Sequence, residues 1–154
     1  MAEGRPGGCP EQMRKETVRC VLVADRHHGL MEGMRALLET TFEAVVMVAD
    51  EVSLWESASR LPVALVVLDL SLTHCDGIGM IRRFHADFSK MKMIVISVID
   101  EPAVSKLALA AGTNGFVLKR AIATDLLPAV DAVLAGDCYV SPGVLRNHGS
   151  EGRR

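Results

Sequence analysis

Four polar residues stand at the ends of short apolar runs and could together carry out phosphoryl chemistry. They are Asp25 after VRCVLVA, Asp69 in VALVVLD, Ser97 in MIVIS and Lys119 in GFVLK. A carboxylate can attack a phosphoryl group and form an acyl phosphate. The transferred group is anionic, so it needs a cation such as Mg²⁺ held by acidic residues, a Lys ammonium and a hydroxyl donor. Two carboxylates, one Lys and one Ser fit these roles by type.

The apolar runs that carry these residues are predicted to be strands of one parallel sheet. A further run, AVVMVA, spans 44–49, and all of the runs are short, rich in β-branched residues and apolar on both faces. Apolar residues at helical spacing lie between them, so strands and helices alternate along the chain. The sequence therefore predicts an α/β fold with a doubly wound parallel sheet and right-handed crossovers. Ligands of such sheets bind outside the carboxyl ends of the strands, where the polar residues would meet.

Length and composition favour one aliphatic domain and argue against several classes of function. The chain has 154 residues, of which 49% are hydrophobic but only 4% aromatic, so aliphatic side chains must fill the core. A net charge of -2 lacks the basic footprint of a nucleic-acid binder. The sequence shows no signal segment, no membrane-length apolar run and no paired cysteine motif. We therefore expect a cytoplasmic protein without direct nucleic-acid or membrane partners.

The two ends of the chain differ in composition from the middle. Residues 1–16 are rich in Gly, Pro and charge, which predicts a disordered N-terminal tail. Residues 142–154 are predicted to be a polar C-terminal tail, so the folded domain is predicted to span 17–141. Only 18 residues follow Gly136, too few for a helix-turn-helix domain, which favours a stand-alone domain.

Five segments in order resemble the response-regulator receiver domain of two-component signalling, over about residues 18–141. They are VLVADRHHGLMEGMRALLE, LVVLDLSLTHCDGIGMIRRF, MIVISV, AGTNGFVLKR and AVLAGDCYVSP. The resemblance is strongest to receivers of the LuxR/FixJ type, which carry a C-terminal helix-turn-helix domain. It implies a single flavodoxin-like (βα)5 domain with a five-stranded parallel sheet in the order 2-1-3-4-5.

The resemblance implies a role for each of the polar residues. Asp69 would be the phosphoacceptor, and Mg²⁺ would be held by Asp25, Asp69 and the backbone carbonyl of Ser71. The hydroxyl of Ser97 would follow the phosphoryl group, and Lys119 would pair with the acidic site.

The same resemblance implies a switch and a set of partners. Phe116 would be the aromatic rotamer switch. A sensor histidine kinase or a phosphotransfer protein would donate the phosphoryl group, and a homodimer would form through the face built by residues 102–135. No enzymatic activity is implied beyond self-phosphorylation and dephosphorylation at Asp69.

Arg26 is the main departure from the family pattern. The residue after Asp25 is normally a second acid that ligates the metal, whereas an Arg keeps its proton and cannot bind Mg²⁺. One hypothesis is that Arg26 reaches Asp69 and supplies a fixed charge where the metal would sit, which would make the chain a pseudo-receiver locked in one state. The rival hypothesis is weak or unusual phosphorylation with a loosely bound metal.

Other functions fit parts of the sequence. A haloacid-dehalogenase-like phosphatase also uses an Asp nucleophile, but it needs an acid two residues later, where this chain has Ser71. The chain could instead be the N-terminal fragment of a DNA-binding response regulator. Beside the site, His27, His28, His74 and Cys75 could in principle bind Zn²⁺, but no ligand spacing supports that site.

Overall fold

The computed structural model describes residues 19–145 as alternating strands and helices. The strands are β1 (Cys20–Ala24), β2 (Ala44–Val48), β3 (Val63–Asp69), β4 (Lys92–Ser97), β5 (Gly115–Leu118) and β6 (Tyr139–Val140). The helices are α1 (His28–Leu38), α2 (Glu51–Arg60), α3 (Gly77–Asp87), α4 (Pro102–Ala111) and α5 (Ile122–Leu134), with a 3-10 turn at Lys119–Ala121. Between residues 19 and 145, no helix is long and apolar enough to cross a membrane. The predicted N-terminal tail, 1–16, lies outside the described residues.

The strands form one parallel sheet in the order β2-β1-β3-β4-β5-β6. The predicted α/β fold and the predicted order of the first five strands are confirmed. The predicted number of strands is one too few, because β6 adds to the outer edge of β5 and pairs Tyr139 with Gly115 and Val140 with Phe116. A strand of two residues is too short to produce a periodic pattern, so this strand could not be predicted from the sequence.

Helices cover both faces of the sheet, and β1 shows the effect. Every residue of Cys20–Ala24 is buried. Leu22 packs on one face of the sheet, in a core cluster with Phe84 of α3. The adjacent Val21 packs on the opposite face, in a cluster with Leu126 of α5. A strand buried on both faces is apolar throughout rather than alternating. Polar side chains are therefore confined to the strand ends, and this positions the site.

Ser141 fastens the segment after β6 to the outer edge of β5. Its backbone N–H donates to the Phe116 carbonyl at 2.9 Å. Its buried hydroxyl donates to Asp125 Oδ2 at 2.8 Å and accepts from the Leu118 N–H at 3.0 Å. Buried polar groups that are all hydrogen-bonded in this way hold one geometry.

The folded part of the chain continues past the predicted boundary at 141. Residues 142–145 are helical, and the side chain of Val144 packs in the core with only 1% of its surface exposed. The buried side chain of Val144 thus attaches residues 142–145 to the domain. This could not be predicted from composition, because the segment 142–154 as a whole is mostly polar. The remainder of that predicted tail, 146–154, lies outside the described residues.

Replacing Ser141 with Ala removes the hydroxyl and leaves the buried Asp125 carboxylate and the Leu118 N–H without this partner. We expect the free energy of unfolding, measured by urea titration, to fall by about 1–3 kcal/mol. The matched control is Ser59→Ala, whose exposed hydroxyl donates to the Trp55 carbonyl, and it should change stability by no more than about 0.5 kcal/mol. Equal losses in the two variants would contradict the role given to Ser141.

Burial raises the pKa of the Tyr139 phenol above its usual value of 10.0, and the nearby Asp125 charge raises it further. Tyr139 is the only tyrosine of the chain, so an alkaline absorbance titration reports on it alone. We expect ionisation at higher pH than in the denatured chain, and Asp125→Asn should remove the smaller part of the shift. Because the folded pKa is the higher one, this contribution to stability is present below pH 10 and is lost as the pH rises through the folded pKa. A folded midpoint at or below that of the denatured chain would contradict the assignment.

Candidate functional site

Three charged residues from three strand ends meet at the carboxyl edge of the sheet. Asp25 follows β1 and anchors its backbone N–H on the Val48 carbonyl at 3.1 Å, Asp69 is the last residue of β3, and Lys119 follows β5. The side chains of Asp25, Asp69 and Lys119 are 1%, 2% and 11% exposed. Buried strands deliver them to one place because parallel strands all end at the same edge.

The Lys119 ammonium neutralises part of the charge of two buried carboxylates. Its Nζ atom lies 3.1 Å from Asp69 Oδ2 and 3.5 Å from Asp25 Oδ2. Charged groups are rarely buried unless they are paired, since removing an ion from water costs several kcal/mol. The pairing predicted for Lys119 from the resemblance is therefore present in the structure, and it extends to both acids.

Ser71 contacts Asp69 through its donor groups. The Ser71 N–H donates to Asp69 Oδ1 at 3.1 Å, and the Ser71 hydroxyl donates to Asp69 Oδ2 at 2.9 Å. The role implied by the resemblance was that of a metal ligand through the backbone carbonyl. The two contacts seen here orient the Asp69 carboxylate through other atoms of Ser71, and the carbonyl role stays a prediction.

His27 is a site residue whose contacts the sequence analysis did not foresee. Its backbone N–H donates to Asp25 Oδ1 at 2.8 Å, which turns the ring toward the acids. Ring atom Nδ1 lies 2.9 Å from Asp25 Oδ1, 3.7 Å from Asp69 Oδ2 and 3.0 Å from Lys119 Nζ. The available signal was its position two residues after Asp25, in a loop that leaves the carboxyl end of β1.

The Arg26 side chain does not lie against Asp69, where the pseudo-receiver hypothesis placed it. Its Nη1 atom lies 2.9 Å from His74 Nε2, on the exposed side of the site. In the described part of the chain, the cation that touches Asp69 is Lys119. The hypothesis that Arg26 reaches Asp69 is therefore corrected. The cause is local, because Asp25 holds the N–H and ring of His27 inward and the preceding side chain is turned outward.

Ser97 and Phe116 lie near the site without joining the charged cluster. Ser97, at the end of β4, is buried, and its hydroxyl oxygen accepts from the Ile99 N–H at 2.9 Å. Phe116 is fully buried in the core below the site. The Ser97 hydroxyl therefore stabilises the loop after β4. The Phe116 ring points into the core.

A surface cavity of about 340 Å³ opens beside Asp69. It lies between the loop after β3 and the loop after β4, and its lining includes Asp69, Ser71, His74, Ser97 and Val98. Val98, which is 71% exposed, lines this cavity at the surface of the protein. The buried carboxylate of Asp69 thus borders a space that a small anionic group can enter.

Comparison with known proteins identifies the family. The family model described as the response regulator receiver domain matches residues 21–131, most of the chain. This chain belongs to the response-regulator receiver domain family. Receiver domains are signalling modules that interact with histidine kinases or phosphotransfer proteins and that dimerise.

The relatives of this receiver domain are regulators of the LuxR/FixJ type. It is 27% identical over 146 residues to the transcriptional regulatory protein DegU of Brevibacillus brevis, covering 94% of this chain and 61% of the relative. It is 32% identical over 127 residues to the transcriptional regulatory protein UhpA of Salmonella typhimurium, covering 80% of this chain and 63% of the relative. A structure of the RcsB response regulator of Salmonella typhimurium, described in terms of its DNA interaction, matches this chain with a TM-score of 0.77 at 28% identity. The match covers 84% of this chain and 66% of the RcsB chain. The chain therefore spans about three fifths of the length of the curated relatives it matches.

The donor set of this receiver domain does not fit the Mg²⁺ that receiver domains generally bind. Mg²⁺ prefers six oxygen ligands in octahedral geometry. Here the residue after Asp25 is Arg26, and the third group beside the acids is the imidazole of His27. Across residues 19–145, Asp25 Oδ2 is the buried side-chain oxygen that accepts no hydrogen bond.

Removing the Lys119 ammonium should reveal how strongly the two acids depend on it. We expect Lys119→Met to lower the free energy of unfolding at neutral pH by about 3 kcal/mol, because two buried carboxylates lose their partner. Adding Asp69→Asn to that variant should restore part of the loss, a coupling that a double-mutant cycle measures. Lys106→Met, on the exposed side of α4, is the control and should change stability by no more than about 0.5 kcal/mol. Additive effects of the two site changes would contradict the shared ion pair.

Proposed function

We propose that this receiver domain accepts a phosphoryl group on Asp69 in two-component signal transduction. The observation that carries the proposal is the contact between Asp69 Oδ2 and Lys119 Nζ at 3.1 Å, at the edge of the cavity beside the carboxylate. A nucleophile needs access to its substrate and a nearby cation for the charge that arrives. Asp69 has both, and Ser71 holds it in one orientation.

The proposed step is a displacement at phosphorus. A carboxylate oxygen of Asp69 forms the new P–O bond, and the bond from phosphorus to the leaving group breaks. The leaving group is the imidazole of a phosphohistidine, or acetate when acetyl phosphate is the donor, and it departs with the bonding electron pair. The Lys119 ammonium is close enough to balance the added negative charge of the phosphoryl oxygens.

The position of Arg26 favours a working phosphoacceptor over a locked pseudo-receiver. The pseudo-receiver hypothesis required Arg26 to lie against Asp69 as a fixed charge. Its guanidinium lies 2.9 Å from His74 Nε2 instead. The family match also argues against the phosphatase, which would need an acid in place of Ser71.

The proposed partners follow from the family. A sensor histidine kinase or phosphotransfer protein would supply the phosphoryl group, and the face built by residues 102–135 would form contacts with a second receiver. On α4 of that face the exposed apolar side chain is Leu107, with 52% of its surface exposed. We place this signalling in the cytoplasm, where response regulators generally act.

The relatives weaken the expectation that nucleic acid is not a partner, since they are named as transcriptional regulators. A stand-alone receiver and the receiver part of a DNA-binding regulator would use the same phosphoacceptor site. The proposal for Asp69 therefore holds for either.

Incubation with acetyl phosphate, with and without Mg²⁺, tests the proposal by intact mass spectrometry. We expect the native protein to gain the mass of one phosphoryl group and Asp69→Asn to gain none. Asp76→Asn changes an exposed acid that lines the same cavity and should keep the adduct.

Arg26→Asp separates the two receiver hypotheses in the same assay. If the native protein stays unmodified while Arg26→Asp gains the group, the chain is a pseudo-receiver disabled by Arg26 and the proposal fails. It also fails if an adduct on the native protein persists in Asp69→Asn. Equal labelling of the native protein and Arg26→Asp would support it.

A further inference from the structure

Asp25 carries a buried oxygen that receives no hydrogen bond from the described residues. Its side chain is 1% exposed, and Oδ2 accepts no hydrogen bond among residues 19–145. The nearest cation, Lys119 Nζ, is 3.5 Å away. Leaving a buried acceptor unpaired is costly, and more so for a charged one. An ion at this place would satisfy it.

The ring of His27 shows a second mismatch at the same place. Nδ1 lies 2.9 Å from Asp25 Oδ1, an acceptor, and 3.0 Å from Lys119 Nζ, a donor. A ring nitrogen carries either one N–H or one lone pair. If Nδ1 carries a hydrogen, its N–H faces the Lys119 ammonium, which is also a donor. If Nδ1 carries a lone pair, that lone pair faces Asp25 Oδ1, which is also an acceptor. A metal ion removes the conflict, because it binds the Nδ1 lone pair and the carboxylate oxygens together and displaces the ammonium.

From these observations we infer that Asp25, His27 and Asp69 form a binding site for a divalent transition-metal ion of the zinc type. One ligand atom from each residue lies within 4.8 Å of the others, with separations of 2.9 Å from His27 Nδ1 to Asp25 Oδ1 and 3.7 Å to Asp69 Oδ2. Two ligands bound at about 2.1 Å to one tetrahedral Zn²⁺ stand about 3.4 Å apart. The site needs little adjustment to close around an ion.

The nitrogen ligand decides which ion is favoured. Imidazole suits Zn²⁺ and its neighbours, whereas Mg²⁺ selects oxygen. This site differs from the zinc site considered from the loop sequence, because His74 faces Arg26 and the two buried carboxylates take part instead. The His27 side chain is 57% exposed, so an ion can enter from solvent. Metal binding does not require phosphorylation, so it is measured on the unmodified chain.

Isothermal titration of the metal-free, reduced full chain with Zn²⁺ and, separately, with Mg²⁺ tests the site. We expect one Zn²⁺ bound at this site and a preference for Zn²⁺ over Mg²⁺. The exposed ring of His27 makes His27→Gln compatible with folding, which circular dichroism checks, and this variant should bind Zn²⁺ at least about 10-fold more weakly. His27→Asp restores an all-oxygen set and should shift the preference toward Mg²⁺.

The control is His74→Gln, which removes a histidine next to the site but outside the ligand set. It should keep the native Zn²⁺ affinity, and Co²⁺ should give a visible absorption band in the native protein and in His74→Gln that is lost in His27→Gln. The inference is overturned if the native chain binds no Zn²⁺ or prefers Mg²⁺. It is also overturned if His27→Gln binds Zn²⁺ as the native chain does, or if His74→Gln loses as much affinity as His27→Gln.

Discussion

The ammonium of Lys119 between the carboxylates of Asp25 and Asp69 is the interaction on which the rest of this structure depends. The three residues come from β1, β3 and β5, and β4 lies between the last two. Neighbouring strands are about 4.8 Å apart, so Lys119 must reach across about two strand spacings to meet Asp69. A long side chain can do this, and the small Ser97 at the end of β4 leaves the space free. The ion pair thus depends on the order of the strands, on the length of the Lys119 side chain and on the small size of Ser97.

The core on both faces of the sheet explains where these charges lie. A strand covered by helices on both faces holds its last residue in a fixed position, since the strand has no polar face that could turn toward water. The core clusters on the two faces leave the carboxyl edge as the place where charge can be stabilised. Within that edge the acids outnumber the ammonium, which explains why His27 is drawn in and why Asp25 still has an unsatisfied oxygen.

The sequence allowed the fold and part of the site to be predicted, and the limits have physical causes. Short apolar runs and helical spacing predicted a parallel sheet, the family resemblance implied its strand order, and the residues at the ends of the runs pointed to Asp25, Asp69, Ser97 and Lys119. Side-chain direction in loops depends on single hydrogen bonds, such as the one from the His27 N–H to Asp25, and no periodic pattern reports them. The outward turn of Arg26 and the inward turn of its neighbour were missed for that reason.

The short strand β6 also limits how this protein can assemble. Tyr139 and Val140 pair with the first half of β5, and Ser141 takes up the Phe116 carbonyl and the Leu118 N–H beyond them. The outer edge of β5 therefore offers no row of free backbone groups for a strand from another molecule. Association through the face formed by residues 102–135 would therefore use side chains, mainly those of α4 and α5, rather than strand pairing. Such an interface can be tuned by single substitutions on two helices without any change in the sheet.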